Sequence, residues 1–221
     1  MEWLIGIGRS RLGGSSARKT GSPSEDSHKA AYLSDNYLNG QLISKVSKEE
    51  LQDSVPVPAG VDSNEWLATH TLSFFNHLNL LYSSLSEYCT PSVCSTVSTG
   101  APMSFTWIDE KGKKMRLSAP QYIELVIVHV QKYVTDENVF PTKYDMTFPN
   151  NFQTVVKKIF RLLFHVLVHI FQSHYVHCVE LNEILLLNTL FIHFMYFQTE
   201  HGLLEAKEVT PLQDLVESLC L

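Results

Sequence analysis

The chain is short of cysteine, of excess positive charge and of long unbroken apolar runs, and each shortage excludes something. Four cysteines in 221 residues leave little for a disulfide framework, and the start of the chain argues the same way. A secretory signal needs a basic start, a long apolar core and a small-residue cleavage site. "MEWLIGIGRSR" has only a short apolar run, with Glu2 ahead of it and arginines behind. With no export signal, the expected compartment is reducing, the cytoplasm with the nucleus as a second location, and stable disulfides are rare there. The net charge is −6. Residues 1–55 hold seven Lys and Arg against seven Asp and Glu, while residues 56–221 hold ten against sixteen. That balance argues against a nucleic-acid binder and for a basic partner. The apolar segments "IFRLLFHVLVHIF" and "EILLLNTLFIHFMYF" fall short of the roughly 20 residues a bilayer needs. They are also interrupted by Arg161, His165, His169, Asn188 and His193, so they read as buried core helices. Catalytic signatures are missing too. There is no H-E-x-x-H, no dinucleotide fingerprint and no nucleophile elbow, and the glycine-rich "LGGSS" lacks the lysine of a phosphate loop. The expectation is a binding protein, not an enzyme.

What is present describes one soluble helical domain with a tail. Hydrophobic residues make up 44% and charged residues 18%, the composition of an ordinary globular chain. Residues 1–30, rich in Ser, Gly and Arg, bury too little apolar surface to offset their ordering entropy and read as disordered. Residues 31–60 read as an extended or partly ordered arm, closed by the turn "PVPAG". The domain proper spans 61–221. Its first helix opens at Asp62, with Glu65 at capping-box spacing. Leu67, Thr71, Phe75, Leu78, Leu81 and Leu85 recur on it at steps of three and four. "SFTWIDEKGKKMRLSA" switches to a period near two around Gly112 and predicts a hairpin. "APQYIELVIVHVQKYV" is a helix with Pro120 in its first turn. Asn150 or Asn151 opens a long helix, another runs from about Glu180 to Thr199, and Thr210 with Pro211 and Gln213 predicts a last capped helix. The fold class is all-α, a helical bundle with a four-helix core, peripheral helices and one β-hairpin.

The cysteines raise a metal question. Cys89 and Cys94 form a C-x4-C pair at the end of the first helix, half of a four-ligand site. The other half would come from the histidines of "FHVLVHIFQSHYVH", and there are too many of them. Residues four apart share a helix face, which favours His165 with His169. His169 and His174 stand about 140° apart on an ideal helix, so sharing a metal would require the helix to end or distort near Gln172–Ser173. Helical geometry leaves the pair open, and a histidine in an apolar helix is ordinarily a hydrogen-bonded core residue.

"NEWLATHTLSFFNHLNLLYSSLSEYCTPSVC", "SAPQYIELVIVHVQKYVTDENVFPTKY", "LFHVLVHIFQSHY" and "LNTLFIHFMYFQTEHGLLEAKE" together resemble the Mob family of kinase regulators over roughly residues 60–220. "FRLLFHVLVH", and the start "MEWL", are most similar to its second subgroup, which binds NDR kinases. The resemblance implies a structural zinc held by Cys89, Cys94, His169 and His174, with His165 left as a surface or groove residue. It implies a partner, the basic helical segment ahead of the catalytic domain of an NDR/LATS-type kinase, met by one copy of this chain as a heterodimer. The docking positions it implies are Asp62, Glu65, Trp66 and His193. Val61 departs from the family pattern, which carries an acid there.

Some members of that family also bind phosphopeptides through a basic cluster on the long helix. The matching positions here are Arg161, Leu162 and His165. Only Arg161 keeps a fixed charge, and a phosphate site wants several converging donors. The expectation is a degenerate site whose residual affinity rises as pH falls and His165 protonates. A phosphopeptide scaffold and a zinc hydrolase are the alternative functions.

Overall fold

The computed structural model describes residues 44–95, 106–108, 111–143 and 145–220. The tail expected over 1–30, and the arm as far as residue 43, lie outside the described residues.

Helix α1, Lys48–Asp53, opens the described chain. Its cap is reciprocal: Ser47 Oγ accepts from the Glu50 N–H at 3.2 Å, and Glu50 Oε2 accepts from the Ser47 N–H at 3.2 Å. This helix lies within the stretch read as an extended or partly ordered arm; the S-x-x-E pattern of "SKEE" caps it, and only Leu51 is buried behind it. Helix α2, Ser63–Leu85, carries the predicted stripe, and all six positions are buried. The Asp62 carboxylate accepts from the N–H groups of Asn64 at 2.8 Å and Glu65 at 3.1 Å. Glu65 does not return a bond to Asp62, so only half of the predicted capping box forms.

The hairpin is short. Strands β1, Trp107–Ile108, and β2, Lys114–Met115, pair antiparallel, with Trp107 opposite Met115. Gly112 sits in the connection at φ +78°, a conformation that suits a residue without a Cβ. Helix α3, Ala119–Val134, follows. The side-chain oxygen of Gln121 accepts from Ser118 N at 3.1 Å and Oγ at 2.9 Å.

Helix α4, Phe152–His169, runs without a stop into a π-helical turn, Ile170–His174, and then into α5, Tyr175–Glu180. The next long helix, α6, spans Ile184–Glu200, starting four residues later than predicted. The delay has a local cause: Asn182 adopts φ 59°, a left-handed conformation that ends α5 and redirects the chain. The C-terminal part also departs from expectation. Helix α7, Ala206–Val209, already precedes Thr210. Thr210 Oγ1 therefore bonds back to the Ala206 carbonyl at 3.4 Å instead of capping, and a 3-10 turn leads into α8, Gln213–Leu219.

Helix α2 packs on α3, α4 and α6, giving the four-helix core, while α1 lies on α6. The centre is aromatic. Phe160 stacks on Phe194 with centroids 4.9 Å apart, and Phe74 meets Phe160 edge-on at 5.7 Å. Truncating one such fully buried ring costs about 3–5 kcal/mol. The bundle thereby fixes the end of α2 against the end of α4.

Candidate metal centre and docking surface

Helix α2 stops at Leu85, and the chain turns tightly after it. The Cys89 N–H bonds the Leu85 carbonyl at 3.0 Å, and the Cys94 N–H bonds the Thr90 carbonyl at 2.8 Å. The Cys94 carbonyl accepts from the Ala119 N–H at 2.9 Å, which ties this loop to the start of α3. The opposing half comes from the π turn. Widening the helix to i→i+5 bonding carries His174 round toward His169, and their ring centroids stand 5.0 Å apart. The distortion that a five-residue spacing requires is therefore present as one extra residue in the turn, with helix on both sides.

The structure brings Cys89, Cys94, His169 and His174 together. All four are buried, and their ligand atoms lie within 4.8 Å of one another. Cys89 Sγ is 3.4 Å from His169 Nε2, and Cys94 Sγ is 3.4 Å from His174 Nε2, each pair 80 residues apart in sequence. His165 is not part of this group. The surroundings orient the ligands. Ser173 Oγ lies 3.4 Å from His169 Nδ1, and Tyr82 is a polar neighbour of Cys89. His174 Nδ1 is buried and has no hydrogen-bond partner among the described residues.

Burial keeps these four groups neutral. Desolvation, with each ring's histidine neighbour adding to it, lowers His169 and His174 to about 4, and desolvation pushes Cys94 up to about 11. A divalent cation reverses that preference, because it displaces the thiol protons and pairs with the thiolates. The donor set, its burial and its convergence are compatible with a structural metal.

The docking positions expected from the sequence fall on two adjoining faces. Trp66 is half-buried, donates its indole N–H to the Val55 carbonyl at 3.0 Å, and lies 4.2 Å from the His70 ring. His193 meets the same His70 ring edge-on at 5.9 Å, and its Nε2 is 3.4 Å from Ser54 Oγ. Burial, with His70 and His77 nearby, lowers His193 to about 4, so it is uncharged at neutral pH. Asp62 and Glu65 are exposed at the start of α2. Glu65 opens onto a neighbouring cleft beside Leu72, Phe140 and Pro141. Nothing in the sequence pattern pointed to His70 or His201, which complete the Trp66 patch. His201 Nε2 donates to the same Val55 carbonyl at 3.0 Å.

The degenerate phosphopeptide positions are occupied by internal contacts. Arg161 Nε is ion-paired with Glu208 of α7, a partner that nothing near Arg161 in sequence announces. Leu162 is buried. His165 Nδ1 is 2.6 Å from the Tyr122 hydroxyl. Burial, reinforced by the Arg161 cation, lowers His165 to about 3. This corrects the expected gain of phosphate affinity in mild acid, because His165 does not protonate there.

Comparison with known proteins settles the ancestry. The sequence profile of the Mob1/phocein family matches residues 44–212. The chain belongs to that family. A mouse relative of the Mob1/phocein chain, MOB kinase activator 2, is 41% identical over 220 residues, all of this chain and 88% of its own length. The human protein of the same name is 40% identical over the same share of each chain. A Dictyostelium discoideum relative, MOB kinase activator-like 1 homolog B, is 45% identical over 171 residues, 76% of this chain and 79% of its own length. No helix among the described residues is long and apolar enough to cross a membrane.

Proposed function

We propose that this Mob-family chain is a non-catalytic adaptor that binds the basic regulatory segment of an NDR/LATS-type kinase and modulates its activity. The observation that carries this reading is the exposed Glu65 carboxylate, without an ion pair among the described residues, next to Trp66, which is half-buried with His193 against the His70 ring. Carboxylates steer basic helices toward such a surface, and an aromatic side chain supplies contact area at its centre. The names of the relatives, kinase activators, support the same direction. The complex is a heterodimer of one copy of each chain, in the cytoplasm and the nucleus.

The resident metal in this reading is zinc, with a structural role. In a tetrahedral zinc site, sulfur and nitrogen ligands stand about 3.6 Å apart, close to the 3.4 Å between each cysteine sulfur and its histidine here. Bound there, zinc would cross-link the end of α2 to the α4–α5 junction. Four protein side chains would fill a four-coordinate site, which favours a structural ion over a hydrolytic one. Phosphopeptide binding is disfavoured by the Arg161–Glu208 pair and by the buried Leu162.

The test is titration of a synthetic basic kinase segment against the purified chain and against Glu65→Lys. Binding by wild type that Glu65→Lys weakens, with the melting temperature kept, is the expected result. Equal binding by both would move the kinase surface elsewhere.

A further inference from the structure

One cavity lined by described residues lies away from both the metal centre and the Glu65 cleft. It is a groove of about 680 Å³ between the end of α1, the end of α6 and α8. Its lining mixes apolar Val55, Pro56, Met195 and Val216 with polar Gln52, Tyr196 and Thr199. Asp53 and Glu200 stand on its rim, both exposed. Neither carboxylate has a hydrogen bond or an ion pair with another described residue. Two carboxylates with no partner among the described residues, beside Val55, Met195 and Val216, suit an occupant with cations next to apolar side chains.

The groove is continuous with the surface that holds Trp66 and His193. The link is the segment after α1. Ser54 Oγ reaches His193 Nε2 at 3.4 Å, while the next residue, Val55, lines the groove and offers its carbonyl to Trp66 and His201 at 3.0 Å each. A helix lying on the Trp66 patch therefore has a second, acid-rimmed trough on the far side of residues 54–56.

We propose that this groove is a second docking site for the partner kinase's basic segment, an amphipathic stretch whose apolar side chains meet Val55, Met195 and Val216 while its lysines or arginines pair with Asp53 and Glu200. The proposal rests on the kinase-binding reading above and extends it to a surface that reading does not contain. It makes the footprint longer than the start of α2, and it assigns Asp53 and Glu200 a role in selecting basic partners.

The experiment compares four full-length proteins: wild type, Glu65→Lys, Asp53→Lys with Glu200→Lys, and Val216→Gln. Each is titrated with the synthetic basic segment at low and high salt, and melting temperatures are measured alongside. The double reversal should weaken binding about tenfold at low salt and much less at high salt, since rim charges are screened. Val216→Gln should weaken it in a salt-independent way. If Glu65→Lys weakens binding but neither groove variant does, the groove inference fails and the kinase reading stands. If the groove variants weaken binding and Glu65→Lys does not, the groove is the principal site. If no variant weakens binding, or wild type itself does not bind, both readings fail. Asp53 and Glu200 are exposed, so their replacement keeps the fold and a null result counts against the groove.

Discussion

Replacing Cys94 by serine removes one side of the candidate metal centre, and its cost follows from where the ligands lie in sequence. Each cysteine faces a histidine 80 residues away. A cross-link closing a loop of that length restricts the unfolded chain by about 4.5 kcal/mol on the chain-entropy account. For a chain of this size one kcal/mol moves the melting temperature by about 2–4 °C. With the metal lost altogether, Cys94→Ser should therefore melt roughly 9–18 °C lower. Elemental analysis of the pure wild-type protein should find one zinc per chain, and Cys94→Ser should hold much less. A strong chelator should lower the wild-type melting temperature by a similar amount and leave Cys94→Ser almost unmoved, because both treatments remove the same link. His165→Ala should keep its metal. A metal-free wild type with a sharp, chelator-insensitive transition would refute the reasoning. Loss of metal from His165→Ala would show that the four-residue histidine pair is the ligand pair after all.

Three further outcomes can be checked with the same protein. Glu65→Gln should weaken the kinase-segment complex in a salt-dependent way with little change in melting temperature, because the helix cap is made by Asp62; salt-independent loss would point to packing instead. A phosphothreonine peptide should bind weakly at pH 7.5 and no better at pH 6, since His165 sits near 3; calorimetric binding that tightens in mild acid would contradict this. Acid should also destabilise the fold. His165 and His193 are lowered to about 3 and about 4, so their contribution is full above the unfolded value of about 6.5 and is lost as pH falls toward the folded values. Each costs about 1.4 kcal/mol at pH 5.5, and urea midpoints for His165→Gln should fall less between pH 7 and 5.5 than those of wild type.

Much of the bundle was readable because its helices are long and periodic. The stripe on α2, the hairpin about Gly112 and the proline-led α3 needed no tertiary information. The short elements were harder. Helix α1 buries only Leu51, so its capping box stood without an apolar run to support it. Thr210 looked like a cap because Pro211 follows it, yet the chain had already turned helical at Ala206. The candidate metal site was half legible. C-x4-C marked one side, but helix periodicity favoured the wrong histidine pair for the cluster, and the family resemblance supplied the other. The Arg161–Glu208 pair was illegible, since it depends on how α7 folds back onto α4. His70 gave no signal either: its role comes from Phe197 stacked on it at 4.5 Å and from Trp66 one turn earlier.

The π turn between α4 and α5 makes chain length, and not only residue type, a condition of the site. A π turn takes up one more residue than an α turn, so each residue after it sits where its predecessor would on an uninterrupted α-helix. Tyr175, Cys178 and the approach to α6 all inherit that offset. Deleting one residue from Phe171–Ser173 would let the segment relax into ordinary α-helix while leaving His169 and His174 both present. The two rings would then be four apart on one face, as simple periodicity prefers, and α5 would keep its side chains toward the core. Shortening the turn by one residue should therefore preserve the cluster, whereas forcing His169 and His174 onto an unbroken α-helix at their present spacing would part them by about 140°.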